Sequence, residues 1–418
     1  KGIGLSTYLK IYRKQPLSHL DKARAKTGRY PSSVLNTWAL NFAAVEAENR
    51  NASELLRFSA FLAPDEIPYH ILISGSEHLG DELSSCLQQG DPDTIQLAIG
   101  DLLEILSQYS LVSWNPQGER YSMHRLVQAV VHDGLDSVTQ NHWLERAISA
   151  LDSAYPGKEF AQWPVCGALL PHWLQVCAQA KREGIESEAL GQVLIQAGVY
   201  LGAQGRYSEA EPLYQEVLTR LKPLLGELHP TVAMSLNNLA GLYHNQGSYG
   251  KAEPLYQEAL AMNKQLFGEA NPEVATILNN LAGLYFNQGR YCDAEPLFQQ
   301  SLTLRKRLFG EAHPAVATCL NNLARLYANQ GRYGDAEPLH QEALVMRKRL
   351  FGEAHPAVAI CLNDLASLYE NQGHYSEAEP LYQEALAMRQ RLLGEAHPLT
   401  KLVQDNLKVC MDKQKHHE

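Results

Sequence analysis

The stretch 236-LNNLAGLYHNQGSYGKAEPLYQEAL-260 decides how this chain folds, because it returns almost unchanged from Leu278, Leu320 and Leu362. The spacing is the same each time, and the last two full copies, Glu311–Gly352 and Glu353–Gly394, agree at 31 of 42 positions. A degenerate copy, LIQAGVYLGAQGRYSEAEPLYQEVL, begins at Leu194. A fixed period of this length signals stacked supersecondary units. Each copy predicts two helices. In the first, Val232, Leu236, Leu239 and Tyr243 fall at helical spacing, and NQG supplies Gly247 for a left-handed cap. The second is predicted to open with a capping box, Ser208-x-x-Glu211 or Ser376-x-x-Glu379. Pro254 and its equivalents are expected in its first turn. It closes on basic residues and glycine, as in RKRLFG at 305–310, read as caps on a solvated face; an acidic-ligand surface is the alternative. Small residues meet where helices cross: Ala240 with Ala252, Ala282 with Ala294, Ala324 with Ala336, Ala366 with Ala378. One such pair cannot bury its apolar face alone, so neighbours stack into an α-solenoid with a concave inner surface.

These residues resemble the tetratricopeptide repeat in its longer, kinesin-light-chain-like variety, whose pattern G-x-x-H-P-x-V-A-x-x-L-N-N-L-A is matched here. The resemblance covers residues 188–413, as five helix pairs and a terminal helix. It implies that the first helix of each repeat lines a groove and that certain residues hold a peptide or protein ligand. The matching positions are Asn238, Asn280 and Asn322, with Asn245, Asn287, Asn329 and Asn371 two turns on. A carboxamide offers a donor and an acceptor together, so it can clasp a peptide backbone whatever its side chains. Four of them could form up to about eight hydrogen bonds, which places affinity near the micromolar range after ordering costs. Asp364 departs from the pattern and accepts only, favouring a cation or N–H donor; Gln196 departs in the first repeat. Arg325 adds one fixed charge to the same face. The alternative is that the asparagines bridge neighbouring helices. His229, His313, His355 and His397, each before Pro, read as turn residues. Stacked repeats lie about 10 Å apart, too far for them to share one metal at about 2 Å.

Residues 1–187 carry no repeat. Helices are expected at Leu5–Tyr12, Ser33–Ala47, Ser53–Leu62 and Thr94–Gln108. Leu111–Trp114 and Arg120–Met123 alternate around NPQG, a hairpin signal, and a helix follows near Arg125. This order suggests a winged helix. Between Asp93 and Asp136 stand six acidic residues and two arginines, so nucleic acid is not an expected partner. Residues 141–187 read as linking helices whose Trp143, Trp163 and Trp173 fill a seam.

YPSSVLNTWALNF, ELLRFSAFLAPDEIP and MHRLVQAVVHD resemble the C-terminal part of an NB-ARC module, the STAND class of signalling ATPases, with many bacterial members carrying such repeats downstream. The resemblance implies the end of a small helical subdomain at 1–29 and a winged-helix domain at 30–140. It makes His124 a nucleotide sensor, although Arg125 departs from the family's Asp. A structural histidine at the hairpin–helix junction is the alternative. No G-x-x-x-x-G-K-[ST] loop is present: Gly157-Lys158 and Gly250-Lys251 are followed by Glu and Ala. Neither enzymatic activity nor a cofactor is therefore expected here. ADP or ATP would belong to a missing upstream domain, and oligomerisation to a full-length protein. No apolar run approaches the ~20 residues that span a bilayer, and seven scattered cysteines without CxxC suit a cytoplasmic chain. The expectation is a mainly α chain, a winged-helix domain with a short β-hairpin followed by an α-solenoid. It would act as a sensor coupled to a nucleotide switch, or as a non-switching adaptor.

Overall fold

The structure is a computed structural model that describes residues 41–88, 91–157, 160–395 and 397–417. The helix expected at Leu5–Tyr12, the subdomain end at 1–29 and most of the helix at Ser33–Ala47 lie outside them. The chain divides into two compact units, residues 1–226 and 227–418.

In the first unit, helix α1 (Arg50–Ser59) starts at an Asn49 cap that accepts from Ala52 N–H. Strand β1 (Ile67–Pro68) follows, then the short helices α2 (Tyr69–Ser74) and α3 (Asp81–Leu87). Helix α4 (Pro92–Gln108) is capped by Asp91. The predicted hairpin forms as β2 (Val112–Trp114) and β3 (Arg120–Met123), paired antiparallel with Trp114 opposite Tyr121. β1 adds to the other edge of β3, with Ile67 opposite Tyr121, giving the order β1-β3-β2. Helices α5 (Arg125–Asp133), α6 (Ser137–Ser153) and α7 (Trp163–Glu183) complete this part.

Leu55, Leu56, Phe58, Ile67 and Ile71 are fully enclosed, and Tyr121 is nearly so. The bend after α1 is fastened by three side chains. Gln128 Nε2 donates to the Leu62 carbonyl at 2.9 Å, His132 Nε2 bonds the Ala60 carbonyl at 3.0 Å, and His172 Nδ1 accepts from Ala63 N–H at 3.1 Å. Asp136 is the exposed N-cap of α6, accepting from Thr139 N–H. Trp143 and Trp173 are buried, and Trp173 Nε1 donates to the Leu151 carbonyl of α6. The first repeat, α8 (Glu188–Ala203) and α9 (Tyr207–Glu216), closes the unit; a π-turn at Val217–Leu221 and α10 (Lys222–Leu225) follow.

The second unit is the array: α11 (Pro230–Asn245), α12 (Tyr249–Phe267), α13 (Pro272–Asn287), α14 (Tyr291–Phe309), α15 (Pro314–Asn329), α16 (Tyr333–Phe351), α17 (Pro356–Asn371), α18 (Tyr375–Leu393) and α19 (Pro398–His417). All eight paired alanines named above are 0% exposed, so the helices cross at backbone distance. Each first helix ends in a Schellman cap. Gly247 takes φ +73°, Gly247 N–H bonds the His244 carbonyl, and Ser248 N–H bonds that of Tyr243.

Three local expectations are corrected. The capping boxes do not form: α9 and α18 start at Tyr207 and Tyr375, so Ser208 and Ser376 already lie inside the helix. Side chains three residues apart pair there instead, Arg206 with Glu209 and Arg290 with Asp293. For the same reason Pro254 is the sixth residue of α12 and not a first-turn residue. The basic triplets are not wholly solvated caps. Arg305, Arg347 and Arg389 are buried and donate to the Ala315, Ala357 and Leu399 carbonyls at 2.9, 2.8 and 2.6 Å, stapling each pair to the next helix. The histidines before proline are N-caps: Nδ1 of His313 and of His355 each accepts an N–H two residues on, at 3.1 Å.

Candidate functional site

Successive first helices approach one another, α11 with α13, α13 with α15, α15 with α17 and α17 with α19, whereas the second helices make no comparable approach. The array therefore curves with its first helices inside. The Asn pairs lie on these helices and form a ladder. Asn280 Nδ2 donates to Asn237 Oδ1 at 3.2 Å, Asn322 to Asn279 at 3.0 Å, and Asn406 to Asn363 at 3.1 Å. The first Asn of one repeat thus meets the second position of the next. In the first unit, Gln196 Nε2 donates to Asp152 Oδ1 of α6 at 2.6 Å, the same chemistry one period earlier.

Asp364 inverts one rung. A carboxylate cannot donate, so Asn321 Nδ2 donates to Asp364 Oδ2 at 2.6 Å. Asn321 Oδ1 accepts from His340 Nδ1 at 2.9 Å. His340 is buried and stands where the other array repeats have Tyr256, Phe298 and Tyr382. Burial pushes it down to about 4, so its ring is neutral at pH 7. The histidine and the aspartate are one coupled substitution. Arg325 Nε lies 3.9 Å from the same carboxylate.

A pocket of about 360 Å³ opens on this face. It brings together five of the nine groove residues expected from sequence: Asn245, Asn280, Asn287, Asn322 and Arg325. Asn238, Asn329, Asp364 and Asn371 do not line it. Asn329 turns its amide back on its own helix, donating to the Arg325 carbonyl at 2.9 Å, and Asn238 Oδ1 takes a long 3.5 Å bond from Asn237. Because Asn280 and Asn322 each spend one N–H on the ladder, fewer hydrogen bonds remain for a ligand than eight. The bridging and lining roles coexist, since a carboxamide has two N–H groups and two lone pairs.

Sequence reasoning passed over His244 and Phe286, and it took Tyr256 and its copies, Phe298 among them, as fillers beside the helix crossings rather than as pocket wall. His244 Nε2 lies 2.6 Å from Asn287 Nδ2, and burial lowers its basicity, so it accepts that bond as a neutral ring. The Arg325 guanidinium sits 5.3 Å from the Phe286 ring centre. A signal was available: Arg325 occupies the position of Gly241 and Gly283, whose missing side chains open the pocket.

In the first unit His124 is the exposed N-cap of α5, its Nδ1 accepting from Leu126 N–H at 3.2 Å. That bond places the ring proton on Nε2 when the ring is neutral. Arg125 lies 3.7 Å from Asp65. Among the described residues no cluster of metal-ligating groups is found, and no helix is long and apolar enough to cross a membrane.

Residues 189–265, 273–344 and 326–391 match the tetratricopeptide repeat family, and residues 43–140 match a domain of unknown function, DUF7779. A curated relative, the nucleotide-binding leucine-rich repeat (NLR)-like protein of Hyaloscypha variabilis, is 35% identical over 249 residues. That match covers 56% of this chain and 23% of the relative, so the chain spans about a quarter of its length. BtubC (BKLC) from P. vanneervenii is similar in structure, 26% identical with a TM-score of 0.43, covering 57% of this chain and 93% of that one. A STAND protein with a tetratricopeptide repeat sensor from Pyrococcus horikoshii is 15% identical with a TM-score of 0.47, covering 98% of this chain and 60% of that one. Repeats of this kind form protein-binding scaffolds. Residues 189–265 and 273–391 belong to the tetratricopeptide repeat family, in a chain similar to part of an NLR-like protein.

Proposed function

We propose that this chain is the sensor and regulatory part of a STAND-type signalling protein. A peptide or protein ligand is held on the concave face of the repeats. The observation that carries this reading is the convergence of Asn245, Asn280, Asn287, Asn322 and Arg325 on one pocket of about 360 Å³. Its polar groups suit a peptide backbone, and Tyr256, Phe286 and Phe298 supply apolar wall. The part at 30–140, read as a winged helix, couples binding to an upstream nucleotide-binding domain that supplies ADP or ATP chemistry. His124, at a helix N-terminus with its proton on Nε2, fits a sensor that donates to phosphate. A ligand shifts such a switch only through differential affinity for its states.

The test is selection of a random peptide library on this chain beside an Asn280→Ala/Asn322→Ala variant and an Asn245→Ala/Arg325→Gln variant. Loss of binding in both, with the array still folded, supports the groove. Binding that survives in both removes it. The second reading is a non-switching adaptor. His124→Ala in a full-length protein separates the two, because it changes signalling by a switch and leaves an adaptor's binding intact.

A further inference from the structure

A different surface lies in the first unit, on the outer side of α4. Asp93, Leu97, Asp101 and Glu104 form one stripe at helical spacing, and Leu97 is 71% exposed. Beside it, Tyr69, Trp114, Pro116 and Gly100 complete a cavity of about 480 Å³. Trp114 is fixed there, because its Nε1 donates to Tyr69 Oη. Its ring lies close over Gly100, where an added Cβ would be 3.6 Å away. None of the three carboxylates is ion-paired with a cation among the described residues. The surface thus offers negative charge around an aromatic and aliphatic floor.

We propose that this surface receives the chain's own basic stretch, YLKIYRK at 8–14. Charge is the first argument. Residues 1–40 contain eight lysines and arginines against one acid, Asp21, while the rest of the chain is strongly acidic. The stretch also interleaves Tyr8, Leu9, Ile11 and Tyr12 with Lys10, Arg13 and Lys14, which matches an acidic rim around an apolar floor. The second argument is where the described chain begins. Asn41 Nδ2 donates to the Tyr109 carbonyl at 3.0 Å, beside the C-terminal end of α4. Asp101 to Asp93 lie about 12–24 Å back along that helix, at about 1.5 Å per residue. The stretch between Lys14 and Asn41 is long enough to span several times that distance. Tethering also raises the effective concentration of this segment over any free partner.

The experiment is zero-length carbodiimide coupling of the full chain, with junctions mapped by mass spectrometry. Lys10 and Lys14 should join Asp93, Asp101 or Glu104 within one chain, less so at about 0.5 M salt. The Asp93→Asn/Asp101→Asn/Glu104→Gln variant should keep its melting midpoint, lose those junctions, and be cut by trypsin after Lys10, Arg13 and Lys14 about tenfold faster. Exchanging charges on both sides (K10E/R13E/K14E with D93K/D101K/E104K) should restore carbodiimide junctions between the stretch at 8–14 and α4, with the carboxylates now on the stretch. Unchanged cleavage in the neutral variant, or junctions only to other acids, overturns the proposal. So do junctions between differently labelled chains in a mixed sample, which would make the occupant a second copy.

Discussion

At the bend after α1, side chains from two helices, Gln128 and His132 of α5 and His172 of α7, converge on one short piece of backbone. In the array, Arg305, Arg347 and Arg389 each donate to one carbonyl of the next helix, a period apart. The first unit concentrates its polar fastening on one stretch of backbone. The array distributes its fastening in equal portions between nearest neighbours. Damage should therefore spread through the first unit and stay local in the array. The two are separately observable, because all five tryptophans lie in the first unit.

The largest effect is expected from Gly75→Val. A Cβ at Gly75 would stand 2.6 Å from Ala150 Cβ and 2.7 Å from its Cα, where α2 runs against α6. Overpacking against backbone should cost about 4 kcal/mol. Tryptophan fluorescence should lose its cooperative transition in mild urea while the helical circular dichroism of the array persists. Equal loss of both signals would break the comparison.

Acid comes next. Burial pushes His172 and His340 down to about 4, each from an ordinary value of 6.5. Between these values the unfolded chain binds a proton that the folded chain refuses. Stability is therefore complete above about pH 6.5 and falls as pH drops toward 4, by up to about 3 kcal/mol for each histidine. His340→Tyr, restoring the residue of Tyr256 and Tyr382, should flatten this acid slope in the array's circular dichroism. The tryptophan transition should keep its own slope from His172. Urea midpoints at pH 7.5 and 4.5 decide it.

Arg347→Met should cost about 2 kcal/mol, since the half-buried Ala357 carbonyl and Thr318 hydroxyl lose a charged donor. Hydrogen exchange should quicken only in α15, α16 and α17. The smallest effect has the opposite sign. At Asn263, one period before Arg305, the amide turns back to the Ala259 carbonyl of its own helix. Asn263→Arg should add the missing staple toward α13 and raise stability by about 1 kcal/mol, measured as the array's urea midpoint.

The array was readable because its punctuation repeats: glycines at φ near +75° and prolines at helix starts recur once in every copy. What was missed follows from the same repetition. A basic triplet gives no sign that its first arginine folds inward, since a long apolar stem carrying a charge suits both places. An Asn recurring in every copy does not say which copy it bonds, so the offset from Asn237 to Asn280 emerges only from the packed helices. In the first unit, β1 has two residues and α2 six, too short for any periodicity to register. The hairpin was visible because NPQG sits between two alternating runs. Histidine as an N-cap was overlooked because Ser, Thr, Asp and Asn usually hold that place.

The ladder's offset has one more consequence. Each rung joins the first Asn of one copy to the second position of the copy ahead, so every internal copy presents the same two half-rungs to its neighbours. Removing or inserting one whole repeat anywhere between Asn237 and Asn322 rejoins matching halves. The array can therefore change length in whole steps without passing through a chain that has an unpaired seam. The inverted rung at Asp364 interrupts that freedom: excising His340 while keeping Asp364, or the reverse, leaves a buried polar group unmatched. Length is adjustable on one side of that rung and fixed across it.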